Sequence, residues 1–526
     1  MTTAIQETKA FAWSSQQEEI FFWFENPGMG ENNLVVRARA GTGKTTTILE
    51  GIRRAKDERI VVAAFNKRIA EELVSKYARM IGADESLSAK ELEQAVSNTG
   101  VDIKTLHAIG FKLVRLYREK VFIERRSGAR QAFLAESVCG QQAPDKIKRI
   151  VGNCITKARE IAPHATERGQ LLDLIEEFEL TPDREWAEMG FDADYVEART
   201  LDALKLAAEV KSGQEIDFAD MLFLPVRNGW MRPLYDLGVV DEAQDMSATQ
   251  LELFLGVVKK TGRVCVVGDD RQAIYAFRGA DSASLDRLKT ELRAEELGLT
   301  VTRRCGKAIV QIAQVLVPDY QSAPDAHAGE VSYLPTVEKL VAQAEVGDFV
   351  LSRSNAPLAK VAMNLIRANK RVRIQGKDIG AGLKALVAKI ATGKASGSIA
   401  ELLAKLARWE EKEVDRVLRA NREEQAEAIR DKADTIRVLC EGIQGLQELN
   451  ARLDSLFADS GPAVVCSSVH KAKGLEAKRV FVLEPTLSPK LPPSVKPSSA
   501  RVKEENNIRY VAITRAIHSL VWVMEK

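Results

Sequence analysis

A glycine-rich turn, Ala38-Arg39-Ala40-Gly41-Thr42-Gly43-Lys44-Thr45, follows the apolar run Leu34-Val35-Val36. Glycines let backbone N–H groups converge on phosphate oxygens, Lys44 supplies a point charge, and Thr45 offers a hydroxyl to Mg²⁺. A helix expected to open at about Thr45 to Thr47 would aim the positive end of its dipole at the same phosphates. Ala38 stands where the usual pattern has glycine, and a plain strand–turn–helix connection would look similar. A second group sits at the end of Leu237-Gly238-Val239-Val240. There Asp241 suits Mg²⁺, and Glu242 can activate a water for attack on a γ-phosphate. A lone Asp-Glu pair could equally be a solvated acidic turn, but with the phosphate loop upstream nucleotide hydrolysis is the stronger reading. A third stretch runs from Gly268 to Gly279, where Gln272 is a polar sensor a few residues from Tyr275 and Phe277. Those two aromatics either stack on bases or pack in a core.

These groups need strands and turns to hold them. Short β-branched runs recur at 34–37, 60–65, 237–240, 263–267, 348–352, 479–483 and 519–524, separated by stretches of helical periodicity. Such alternation predicts parallel α/β sheets. Residues 113–215 and 381–460 break it with largely helical patterns, and an inserted 113–215 accounts for the wide gap between Lys44 and Asp241. The charged run beginning at Trp409 reads as a solvated helix face. The proline- and serine-rich stretch from Pro485 to Ser499 reads as an exposed loop.

With 526 residues, 45% apolar and 29% charged, the chain has room for about three or four domains of ~150 residues. A net charge of only +2 provides no global polybasic field, so a nucleic-acid site must be a local groove. The six cysteines are scattered without a Cys-x-x-Cys pair. That argues against zinc and against a disulfide framework and fits a reducing cytoplasm. The N-terminus has no signal-peptide pattern, and no apolar run approaches the ~20 residues of a membrane span. The expectation is a cytoplasmic protein.

In order, the motifs resemble those of superfamily 1 helicases, the UvrD/Rep/PcrA-like branch, where alanine is common at the Ala38 position. Trp13-Ser14-Ser15-Gln16-Gln17 is similar to the adenine-reading Q motif, and Ala38–Thr45 to motif I. Ala64–Lys67 and Lys104–Gly110 look like motifs Ia and Ib. Ile216–Leu222 resembles the segment leading into motif II, Asp241–Asp245 motif II itself, and Gly268–Gly279 motif III. Thr302–Cys305, Val469–Glu476 and Glu504–Ala516 resemble motifs IV, V and VI.

The resemblance implies an α/β fold: two RecA-like P-loop domains with parallel sheets, each carrying a mainly helical insertion. Their expected bounds are 1–112 with 216–283 (insertion 113–215) and 284–380 with 461–526 (a reduced insertion, 381–460). Gln16 or Gln17 would bind adenine. Ala40, Gly41, Thr42, Gly43, Lys44, Thr45 and Thr46 would cradle the phosphates of ATP, and Thr45 and Asp241 would hold Mg²⁺. Glu242 would be the general base and Gln272 the γ-phosphate sensor. Arg304 and Arg515 would be arginine fingers reaching across the cleft between the domains, and Glu476 would contact the ribose. The family usually carries an aromatic residue at position 303; here Arg303 could stack its guanidinium on the base. Phe65, Thr105, His107, Tyr275, Phe277, Arg278 and His470 are the implied contacts to single-stranded DNA. The implied activity is an ATP-driven DNA helicase moving 3′→5′ on single strands and at single-strand/duplex junctions, in repair, replication or recombination. The alternatives are a translocase that displaces bound proteins with little strand separation and an inactive ATP-dependent DNA-binding module. An RNA substrate is weaker than either.

Overall fold

The computed structural model describes residues 13–28, 33–64, 66–84, 86–211, 213–274, 284–391, 398–418, 423–458, 461–487 and 499–525. The chain divides into two units. The first lies within Met1–Pro182, Ala193–Asp270 and Phe277–Thr300, the second within Asp183–Asp192, Arg271–Ala276 and Val301–Lys526. Phe65, Tyr275, Phe277 and Arg278 are outside the described residues.

In the first unit the strands are β1 (Leu34–Ala38), β2 (Ile60–Ala64), β3 (Val101–Thr105), a short pair β4 (Phe122–Ile123) and β5 (Glu215–Ile216), then β6 (Tyr235–Val240), β7 (Val258–Gly268) and β8 (Glu295–Leu299). Six of them form one parallel sheet in the order β3-β2-β6-β7-β1-β8. Continuous apolar strands such as Ile60–Ala64, buried throughout, suit a sheet covered on both faces. One helical layer packs on Val36, Val62 and Val239, and another on Val35, Val61 and Val240. The alternation of side chains along each strand assigns these neighbours to opposite faces. Gly110 lets the Leu106–Tyr117 helix lie close to the Phe218–Arg227 helix; a Cβ there would stand 2.1 Å from the Met221 carbonyl oxygen.

In the second unit β9 (Val301–Thr302) pairs with β10 (Gln321–Ser322). Six further strands, β11 (Glu330–Leu334), β12 (Phe349–Ser352), β13 (Val372–Ile374), β14 (Val464–Ser468), β15 (Ala477–Leu483) and β16 (Ala516–Val523), form a parallel sheet. Its order is β11-β16-β15-β12-β14-β13. Four helices, Lys377–Ala391, Ile399–Leu418, Glu423–Cys440 and Leu446–Leu456, come between β13 and β14 and share one apolar cluster with that sheet.

β8 pairs in register with β1 and completes the first sheet, and the first unit reaches Thr300. One expectation is corrected: the helix after the phosphate loop opens at Lys44, with Gly43 as its cap. Among the described residues no helix is long and apolar enough to cross a membrane, and all six cysteines are free.

Candidate nucleotide site and nucleic-acid surface

In the first unit the turn after β1 is shaped by Gly41 and Gly43 at φ 69° and 82°, a region that side chains with a Cβ seldom enter. The Thr42 hydroxyl donates to the Arg39 carbonyl at 2.8 Å, which closes the turn. Lys44 Nζ donates to Glu242 Oε1 at 2.8 Å, so the loop lysine and the carboxylate beyond β6 meet. Burial works against the lysine's charge, yet Glu242, Asp241 and Asp269 outweigh it and hold its pKa above the ordinary lysine value. Burial and then Glu242 push Asp241 up to about 6, against the pull of Lys44. Glu242 itself stands at φ 56°, a left-handed backbone, and its N–H donates to Asp241 Oδ1 at 2.9 Å.

Gln17 is buried, and its Nε2 donates to Thr47 Oγ1 at 2.8 Å in the helix behind the loop. Gln16 instead exchanges bonds with Thr300, at 3.0 Å through its Nε2 and 3.1 Å through its Oε1. The two expected adenine readers therefore part company: Gln17 adjoins the phosphate loop and Gln16 adjoins the strand end. Ala40 and Thr42 are buried, Gly41 and Thr45 half-buried, and Thr46 exposed.

Three side chains at this site had no role read from the sequence. Gln244 is fully buried; its Nε2 donates to Glu242 Oε2 at 2.5 Å, and its Oε1 accepts from the Asp269 N–H at 3.1 Å. Arg39 binds Asp269 and Asp270 at 3.0 and 2.7 Å. The third is Phe218, 62% exposed, whose ring lies 5.9 Å from the His107 ring in an edge-on arrangement. An aromatic flanked by Asp217 and Asp220 was the available signal for it. Burial lowers the pKa of His107, so its ring is neutral at pH 7 and offers an aromatic face. Thr105 caps the next helix, its hydroxyl accepting from the Ala108 N–H at 3.1 Å.

In the second unit Arg515 is almost fully buried. Its guanidinium donates to the carbonyls of Val511 and Leu475, to Thr514 Oγ1, and at 3.4 Å to Gln272 Oε1. All these acceptors are neutral. Burial first, then the neighbouring Arg304, bring its pKa down to about 10. The Gln272 segment is fastened by Lys473 Nζ on the Gln272 carbonyl and by Asn507 Nδ2 on the Ala273 carbonyl. Arg304, by contrast, is paired with Glu476 at 2.5 Å. Arg303 is exposed, and His470 is half-buried in the short Val469–Ala472 helix.

A parallel sheet that presents a glycine loop, a lysine and an Asp-Glu pair at the carboxyl ends of its strands defines a P-loop nucleotide-binding protein. The UvrD/REP helicase N-terminal domain matches residues 25–293, more than half of the chain, and the UvrD-like helicase C-terminal domain matches residues 419–526. The chain belongs to the UvrD/REP helicase family. A probable DNA helicase II homolog of Mycoplasma pneumoniae is 26% identical over 57% of this chain and 42% of its own length. The ATP-dependent DNA helicase Rep of Escherichia coli is 25% identical over 54% and 41%. The ATP-dependent DNA helicase UvrD2 of Mycobacterium bovis is 24% identical over 94% and 77%. The chain spans about half the length of most of the curated relatives it matches.

Proposed function

We propose that this protein hydrolyses ATP to move 3′→5′ along single-stranded DNA and to open duplex at single-strand/duplex junctions. The observation that carries this reading is the meeting of Lys44, Glu242 and Asp241 beside the glycine loop. A phosphate group arriving in the loop competes with Glu242 for Lys44. The carboxylate released from that ion pair is then free to take a proton from an attacking water. Gln17, beside the loop, is the better placed of the two candidate adenine readers.

Arg515 supplies the complementary charge. A buried guanidinium held only by neutral acceptors is costly unless an anion joins it, and we assign that anion as the γ-phosphate, with Gln272 as its neighbour. Asp241 and the Thr45 hydroxyl would hold Mg²⁺. The fit is chemical: burial beside Glu242 leaves the Asp241 carboxylate in need of positive charge. Among the described residues no cluster of three metal-binding side chains exists, as expected where phosphates and water complete the shell. The ion would neutralise charge on the phosphates.

We assign the helical stretches 113–215 and 381–460 as insertions of two RecA-like cores, and Phe218 with His107 as part of the base-stacking surface. The small helical part of the second unit favours one further reading, a translocase that displaces bound proteins with little strand separation. Phosphate release with and without single-stranded DNA, followed by strand separation on 3′- and 5′-tailed duplexes, tests both. No stimulation by DNA removes the motor, equal opening of both tailed substrates removes the polarity, and protein displacement without strand separation selects the second reading.

A further inference from the structure

Arg39 lies inside the phosphate loop, yet its side chain is engaged at the end of β7. Its N–H donates to the Leu299 carbonyl at 2.8 Å, and its own carbonyl accepts from Thr42. Its Nη1 reaches Asp269 Oδ1 at 3.0 Å and Asp270 Oδ1 at 2.7 Å. Asp269 is fully buried, and its N–H donates to Gln244 Oε1. The other end of the Gln244 amide donates to Glu242 Oε2, while Glu242 Oε1 accepts from Lys44. Lys44 is five residues from Arg39, so the path closes on itself: loop, β7 end, Gln244, Glu242, Lys44 and back to the loop. Gly268 admits this arrangement, since a Cβ there would stand 2.4 Å from Gln244 Oε1.

We propose that Arg39 is a positioning residue for hydrolysis, acting through Asp269 and Gln244 on the Glu242 carboxylate. Glu242 has two anchors in this ring. Phosphate binding draws Lys44 away, so one anchor is lost at the moment when the carboxylate must be aimed. The Gln244 amide is the anchor that stays, and it is held by the backbone N–H that Arg39 fixes through Asp269. A guanidinium with two buried carboxylates is suited to this because its charge-assisted bonds resist rotation of the turn. The assignment rests on the reading of Glu242 as the general base.

The test is steady-state ATP turnover with saturating single-stranded DNA, alongside binding of a non-hydrolysable ATP analogue. It uses the full chain as wild type, Arg39→Gln, Arg39→Lys, Gln244→Met and the Arg39→Gln/Gln244→Met double variant, with melting temperatures for each. Arg39→Gln and Gln244→Met are each expected to lower kcat about tenfold or more while changing analogue affinity less than about threefold. The double variant should lose no more than the worse single one, because both cut the same path, and Arg39→Lys should recover most of the lost kcat. An unaltered kcat in Arg39→Gln beside an active wild type overturns the inference alone. So do a parallel loss of analogue affinity and losses that multiply in the double variant. If Arg39→Gln does not fold, an unaltered kcat in Gln244→Met is decisive against it. A wild type that binds the analogue but never turns over overturns the general-base reading and this inference with it.

Discussion

The two units treat their charged groups in opposite ways. In the first unit every key charge has a counter-charge at hand: Lys44 on Glu242, Arg39 on Asp269 and Asp270. In the second, Arg515 is buried among neutral acceptors, and no carboxylate among the described residues pairs with it. Compensated charges stabilise the fold and must exchange partners to work. An uncompensated buried charge destabilises the fold and gains only when an anion binds. The second unit also contains its own control, because Arg304 is paired with Glu476 while the neighbouring Arg515 has no carboxylate among its described partners.

Variants can break this contrast. The largest effect is on turnover: Glu242→Gln and Arg515→Ala are each expected to lower ATP hydrolysis about 10³-fold. Phosphate release above a tenth of wild type in either would refute its role. Next comes stability, read by urea unfolding. Arg39→Met takes the guanidinium from buried Asp269, while Asp270 keeps Arg37, and should cost about 3 kcal/mol, whereas Arg515→Met removes an uncompensated charge and should be neutral or stabilising. Equal losses in the two variants would erase the distinction. Phe218→Ala should weaken single-stranded DNA binding by about 1–2 kcal/mol through lost stacking, measured by fluorescence anisotropy; an unchanged Kd takes Phe218 off the DNA surface. The smallest effect belongs to the Arg304–Glu476 pair. Glu476 is 47% exposed at its side chain, so solvent screening should hold the double-mutant coupling energy below about 1 kcal/mol. A larger value would mean the pair shapes the unit and does not merely store Arg304.

What could be read from the sequence follows the same physics. The interior strands β1, β2, β6, β7, β12 and β15 announce themselves as apolar runs because both faces are covered. Of the strands in the two six-stranded sheets, the runs left five unrevealed: the four edges β3, β8, β11 and β13, and the interior β14, whose Val464-Val465-Cys466-Ser467-Ser468 turns polar after three residues. Edges have one neighbour and tolerate charge, as Val101-Asp102-Ile103-Lys104-Thr105 and Glu295-Glu296-Leu297-Gly298-Leu299 do, so their pattern is diluted. The boundary expected after residue 283 was drawn without β8, which pairs with β1. The loop and the acidic pair were legible because their chemistry is local. The Lys44–Glu242 contact joins residues 198 apart in sequence, and the roles of Arg39 and Gln244 depend on a ring closed by folding, which no local pattern records. The choice between Gln16 and Gln17 was likewise open, since adjacent residues on a helix point in different directions.

Glu242 holds its place at φ 56°, a conformation that costs a residue with a Cβ about 1 kcal/mol or more relative to glycine. The most comfortable residues at this position, glycine and asparagine, lack the carboxylate. A search for heat-resistant variants that scored only the folded state would therefore favour one of them and discard turnover without noticing. Position 242 is where selection for durability and selection for work pull the chain apart.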